Sequence, residues 1–140
     1  MAILEKSSIM VGCTGYTKEA VIKKMGELMV AGGYATEKYT EAMMKKEEMV
    51  NTFIGNKVAL PHGIETMKSE ILKSGMAIMT FPDGVDWGNG QTINLAVCVA
   101  AVGDEHMDVL TKVALNCMSE ADTDKVVASS LDEIYNLFAM

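Results

Sequence analysis

The chain has 140 residues, 49% of them hydrophobic, and a formal net charge of −7. That length and apolar content predict one domain over residues 1–140 that buries a core without disulfides or metal, and they exclude a disordered chain. Every one of the twelve cations is a lysine, so the basic, arginine-bearing face that nucleic acid requires is missing and no nucleic-acid partner is expected.

Cys13, Cys98 and Cys117 are odd in number, far apart and form no CxxC pair, which points to a reducing compartment. Glu5 and Lys6 stand where a signal peptide would be apolar, and the longest apolar run, residues 95–102, is far too short for a bilayer. The expectation is a cytoplasmic protein without direct membrane insertion. A start methionine and a capped last helix suggest a complete unit. The thirteen methionines fall at helix-face and strand positions and read as adaptable packing rather than a soft-metal site.

In chain order, residues 8–11 are a short extended segment followed by a glycine-containing loop. Thr17 supplies an N-cap oxygen to a helix reaching about Ala31, with Val21, Ile22, Met25, Leu28 and Met29 on one stripe. Gly32 and Gly33 end it. A second helix runs from after Thr36 to about Met49, with Tyr39, Met43 and Val50 on its buried side and Lys45, Lys46, Glu47 and Glu48 at its charged end. Residues 52–55 read as a loop and 58–60 as a strand.

Residues 76–81 form the next predicted strand, ended by Pro82, Asp83 and Gly84, and a looped interval over 85–91 carries Trp87. Residues 93–102 are the strongest strand, continuously apolar after Asn94, as a central strand covered on both faces should be. Gly103 ends it. Asp104 caps a helix from Glu105 to about Met118 that buries Val109, Leu110, Val113 and Leu115. A short helix from Asp122 to Ala128 and a last one opened by the Ser130 and Glu133 capping box complete the chain. Alternating helices and strands imply a layered α/β domain.

The functional signal lies in residues 56–63, where a β-prone run ends in Pro61 and delivers His62 before Gly63 turns the chain away. Open α/β sheets bind ligands beyond the carboxyl ends of their strands, and imidazole there can serve as base, metal ligand or nucleophile. His106, the other histidine, falls in the first turn of the helix after the strongest strand. If the two strands run parallel, both rings share one crevice. Unpaired N–H groups at that helix start favour an anion such as phosphate. A neutral His62 can attack phosphorus while a neutral His106 donates a hydrogen bond to a phosphoryl oxygen. A two-histidine metal-dependent hydrolase competes, but neither an HExxH motif nor a zinc-type cysteine spacing is present, so no metal is expected.

These residues carry a family resemblance. Gly32, Gly33 and Tyr34, Ala42, Met43 and Glu47, then Ala59, Pro61, His62 and Gly63, and further on Gly75, Pro82, Gly84, Val85, Gly103, Asp104, Glu105 and His106 together resemble the IIA component of the bacterial sugar phosphotransferase system, mannitol and fructose type, and more the mannitol branch. The resemblance implies a three-layer α/β/α sandwich with a mixed, mostly parallel sheet. It implies a phosphoryl carrier that accepts the group from the phosphocarrier protein HPr on Nε2 of His62 and passes it to a cysteine of a IIB domain, with no cofactor. His106 would orient the phosphoryl group, and Lys46 and Glu47 would support it. Lys46 stands where the mannitol branch has an arginine, keeping the charge without the planar fork. An apolar rim of Leu60, Ile64, Val85 and Met107 is expected for docking. The alternative is a regulatory module of the same fold whose phosphorylation state controls another protein.

Overall fold

A computed structural model describes residues 3–63, 69–101 and 105–139. Five strands form one sheet in the order β1-β4-β5-β3-β2: β1 (Ile9–Met10), β2 (Phe53–Gly55), β3 (Val58–Ala59), β4 (Gly75–Gly88) and β5 (Gln91–Ala100). Helices α1 (Lys18–Ala31) and α2 (Lys38–Met49) cover one face, and α3 (Glu105–Asn116), α4 (Glu120–Val127) and α5 (Leu131–Phe138) cover the other. The expected α/β/α sandwich is therefore present.

Strand alternation divides the core in two. Ala77, Met79 and Phe81 of β4 and Ala96, Cys98 and Ala100 of β5 face α1 and α2, while Met76, Ile78, Leu95, Val97 and Val99 face the other three helices. The small residues Ala59, Ala77, Ala96 and Ala100 leave room on the first face for Met25, Met29, Tyr39, Met43 and Trp87, all buried. Long methionines fill that irregular space without branching. Val109, Val113, Val126, Ile134 and Phe138 close the second face.

The sheet is mixed as expected, but its pairings divide evenly. β1 with β4 and β3 with β5 are parallel, whereas β4 with β5 and β2 with β3 are antiparallel. The longest antiparallel pairing, β4 with β5, is a hairpin that a reading based on Pro82 cuts short. Pro82 sits in a bulge between the pairs Thr80 with Leu95 and Val85 with Ile93, where no ladder N–H is required. The Asn94 side-chain amide donates to the carbonyls of Phe81 (2.8 Å) and Pro82 (3.3 Å), satisfying the interrupted strand. β4 then continues through Trp87, which is fully buried rather than looped. Asn89 (φ 55°) and Gly90 (φ 74°) make the turn into β5.

Other boundaries shift for local reasons. Residues 53–55 are a strand because Asn56 and Lys57, both at positive φ, fold them back on β3. Val50 leaves the buried side of α2 because its backbone is already extended, and it is exposed. Leu115 is exposed on α3, and Ser119 rather than a later residue caps α4. The caps of α1 at Thr17 and of α5 at Ser130 with Glu133 form as read. Gly103, Asp104 and Ile64 lie outside the described residues.

Candidate functional site

β3 and β5 run parallel, with Val58 opposite Leu95 and Ala59 opposite Ala96. Beyond β3 the chain keeps company with β5 for one more step, through an isolated parallel bridge between His62 and Val99. The Val99 N–H donates to the Pro61 carbonyl at 3.1 Å, and the Leu60 N–H donates to the Thr52 carbonyl at 3.0 Å. His62 is thus delivered at the carboxyl end of the strand, as its sequence context requires. β5 ends at Ala100 and α3 starts at Glu105, which brings His106 to the same edge. The two imidazole centroids lie 5.7 Å apart at an interplanar angle of 63°.

The tautomer of His62 follows from its partner. Nδ1 lies 2.8 Å from the Leu60 carbonyl oxygen, which can only accept, so Nδ1 carries the hydrogen. In the neutral ring Nε2 then holds the lone pair. Both histidines are partly exposed, so an incoming group can reach them.

Tyr39 of α2 completes the frame. Its hydroxyl donates to the Val99 carbonyl and accepts from the Gly63 N–H, each at 2.9 Å. The ring lies against Gly63, where an added Cβ would meet it at 2.5 Å. Burial pushes the phenol well above its ordinary pKa of 10.0, so it remains a neutral donor.

Glu47 lies near the end of α2. Its carboxylate turns inward, pairs with the Lys18 ammonium at 2.9 Å and accepts from the Thr52 N–H at 3.1 Å and from the Thr52 hydroxyl. Only 5% of its side chain is exposed. Because Thr52 holds Leu60 and Leu60 holds the His62 ring, Glu47 anchors the backbone that orients the imidazole. Lys46, its neighbour in the last turn of α2, is half-buried. The structure therefore joins His62 to His106 directly and to Glu47 through backbone.

Sequence reading missed Tyr39 as more than a packing residue, and it missed Thr52 and Lys18. A buried tyrosine hydroxyl does require a partner, which is the available signal for Tyr39. Of the expected apolar rim, Met107 is exposed, whereas Leu60 and Val85 are core residues. Among the described residues no group of three or more His, Cys, Asp or Glu side chains is arranged to hold a metal ion. No helix among them is long and apolar enough to cross a membrane.

A family model described as the phosphoenolpyruvate-dependent sugar phosphotransferase system, EIIA 2, matches residues 2–140. The chain belongs to this EIIA 2 family. One EIIA relative, the mannitol-specific phosphotransferase enzyme IIA component of Bacillus subtilis (strain 168), is 37% identical over 133 residues, covering 95% of this chain and 93% of that protein. The crystal structure of IIA mannitol from Escherichia coli superimposes with a TM-score of 0.85 at 31% identity, covering 96% and 97% of the two chains. The IIA chain in a complex of enzyme IIA and phosphorylated enzyme IIB of the Escherichia coli mannitol system gives a TM-score of 0.87 at 29% identity, with the same coverage. The EIIA 2 fold and its phosphotransferase system are thus shared along nearly the whole chain.

Proposed function

We propose that this EIIA 2 chain is a cytoplasmic phosphoryl carrier, one domain over residues 1–140, that accepts the group from HPr on Nε2 of His62 and passes it to a IIB cysteine of a mannitol-type permease. The observation that carries the reading is the His62 Nδ1–H held by the Leu60 carbonyl beside the His106 ring. The mannitol assignment rests on the relatives, one of them in complex with phosphorylated IIB.

The chemistry follows from the tautomer. The Nε2 lone pair forms a bond to phosphorus as the donor's bond to phosphorus breaks and its electron pair leaves with the donor. Nδ1 keeps its hydrogen, so the phosphorylated ring carries positive charge, and the Leu60 carbonyl stabilises it. That charge also keeps the Nε2–P bond labile. When the thiolate of IIB attacks phosphorus, the ring departs as neutral imidazole. His106 orients the phosphoryl oxygens by hydrogen bonding, and Lys46 offsets their charge from the end of α2. Glu47 supports the phosphate at one remove, through Thr52 and Leu60.

Incubation with phosphoenolpyruvate, enzyme I and HPr tests this, with the label located by mass spectrometry. The expected result is a base-stable, acid-labile phosphate on His62 that is absent in His62→Ala. His106→Ala is expected to keep the label and to slow onward transfer to IIB by about a hundredfold. A folded wild-type chain that takes up no label overturns the carrier reading. A chain that is labelled but never passes the group to IIB favours a regulatory module.

A further inference from the structure

A regular parallel bridge is closed by two bonds, one on each side of the paired residue. At the His62–Val99 bridge the short one runs from the Val99 N–H to the Pro61 carbonyl at 3.1 Å. On the other side the Gly63 N–H donates to the Tyr39 hydroxyl, which in turn donates to the Val99 carbonyl. The phenol oxygen acts as an inserted link in the ladder. Through it the Gly63 N–H and the Val99 carbonyl are both bonded.

We infer that Tyr39 is a positioning residue for phosphoryl transfer at His62, its hydroxyl fixing the peptide that follows the imidazole. The inference rests on the carrier reading above and deepens it. With Pro61 fixed to Val99 on one side and Gly63 fixed through Tyr39 on the other, the Cα of His62 is clamped from both directions. The ring then needs only the Leu60 carbonyl to choose its tautomer and the aim of Nε2. The ring of Tyr39 is 3% exposed and packs on the core, so the link is held by α2 and not by solvent. Tyr39 touches no reacting atom. Its effect appears in the rate of transfer and leaves carrier binding alone.

The test is Tyr39→Phe, which keeps the ring against Gly63 and removes the hydroxyl alone. Phosphorylation is followed at rising HPr concentration, and the His62 ring is observed by nitrogen-15 NMR. The rate at saturating HPr is expected to fall about ten- to a hundredfold with an unchanged KM for HPr. The ring signals should change from a single Nδ1–H tautomer to a mixture. Wild-type rate together with wild-type ring signals in folded Tyr39→Phe would overturn the inference and leave Tyr39 a packing residue.

Should Tyr39→Phe fail to fold, 4-aminophenylalanine at position 39 keeps a donor toward Val99 and weakens the acceptor toward Gly63. A reduced rate supports the link, and an undiminished rate with a single tautomer overturns it. If the wild-type chain accepts no phosphate, the carrier reading fails by itself, and the ring spectra of the two chains still decide whether Tyr39 sets the imidazole.

Discussion

The two ends of the sheet are built by different rules. At one end β2 with β3 and β4 with β5 are joined by tight hairpins, turning at Asn56 and Lys57 and at Asn89 and Gly90. An open polar cavity of about 550 Å³ lies there, lined among others by Lys57, Asp83, Gln91, Thr92, Asn94 and Glu120. At the other end the parallel strands β3 and β5 stop, at Ala59 and Ala100, and α3 starts at Glu105. Both histidines are at that second end. The comparison teaches where chemistry is built: the cavity at the hairpin end has no imidazole in its lining, and the reactive end is defined by where backbone hydrogen bonding is handed to side chains.

The sharpest way to break this contrast is to remove the buried carboxylate behind the reactive end. Glu47→Ala leaves the Lys18 ammonium only the Trp87 carbonyl and ring and leaves the Thr52 N–H unpaired, and is expected to cost about 3 kcal/mol in chemical denaturation. It should also slow labelling of His62. Normal labelling in the folded variant would show that Thr52 and Leu60 hold the ring without Glu47.

Gly63→Ala presses a methyl group onto a Tyr39 ring that two hydrogen bonds and the core prevent from moving. About 2 kcal/mol of lost stability is expected from the overpacking, together with impaired labelling.

Alkaline titration probes the same clamp without a clash. Burial raises the Tyr39 phenol above its ordinary 10.0, so the unfolded chain ionises there before the native one does. The stability linked to this group is complete below pH 10 and is lost as pH rises toward the native value, with a slope of about 1.4 kcal/mol per pH unit. Tyr34 and Cys98, also raised by burial, add to the wild-type decline. Tyr39→Phe is expected to show a shallower loss between pH 10 and 11 in denaturant titrations. An equal slope in both chains would mean that the phenol ionises as readily in the native state.

Gly90→Ala completes the comparison at the hairpin end. Position 90 has φ 74° and open space around an added Cβ, so the cost is backbone strain alone, about 1 kcal/mol. Labelling of His62 should be unchanged. A labelling defect there would show that the two ends are coupled.

Local chemistry made part of this legible in the sequence. Pro61 before His62 and Gly63 after it mark a strand end, and the apolar run of β5 marks a central strand, so the meeting of the two histidines followed once those strands proved parallel. Hairpin β4–β5 was also legible, because Asn89–Gly90 is a strong turn signal, but Pro82 read as a terminator concealed it. Nothing nearby in sequence reveals that Asn94 would satisfy the bulge from the facing strand. The inward turn of Glu47 and the link made by Tyr39 depend on residues 29 and 60 positions away, Lys18 and Val99, and the charged run over 45–48 reads equally well as a solvated face.

The exposed Asn89–Gly90 turn also marks where the molecule can be opened for engineering. β5 alone has ten residues, about 30 Å of strand, and Val99, the partner of His62, lies near its far end. A short flexible peptide inserted between Asn89 and Gly90 lengthens only a solvent-facing loop, and loop closure grows costlier by only about 0.6 kcal/mol for each doubling of length. A fluorophore or affinity handle grafted there would ride on the tip remote from the imidazoles, so docking of protein partners could be watched from a position they need not cover.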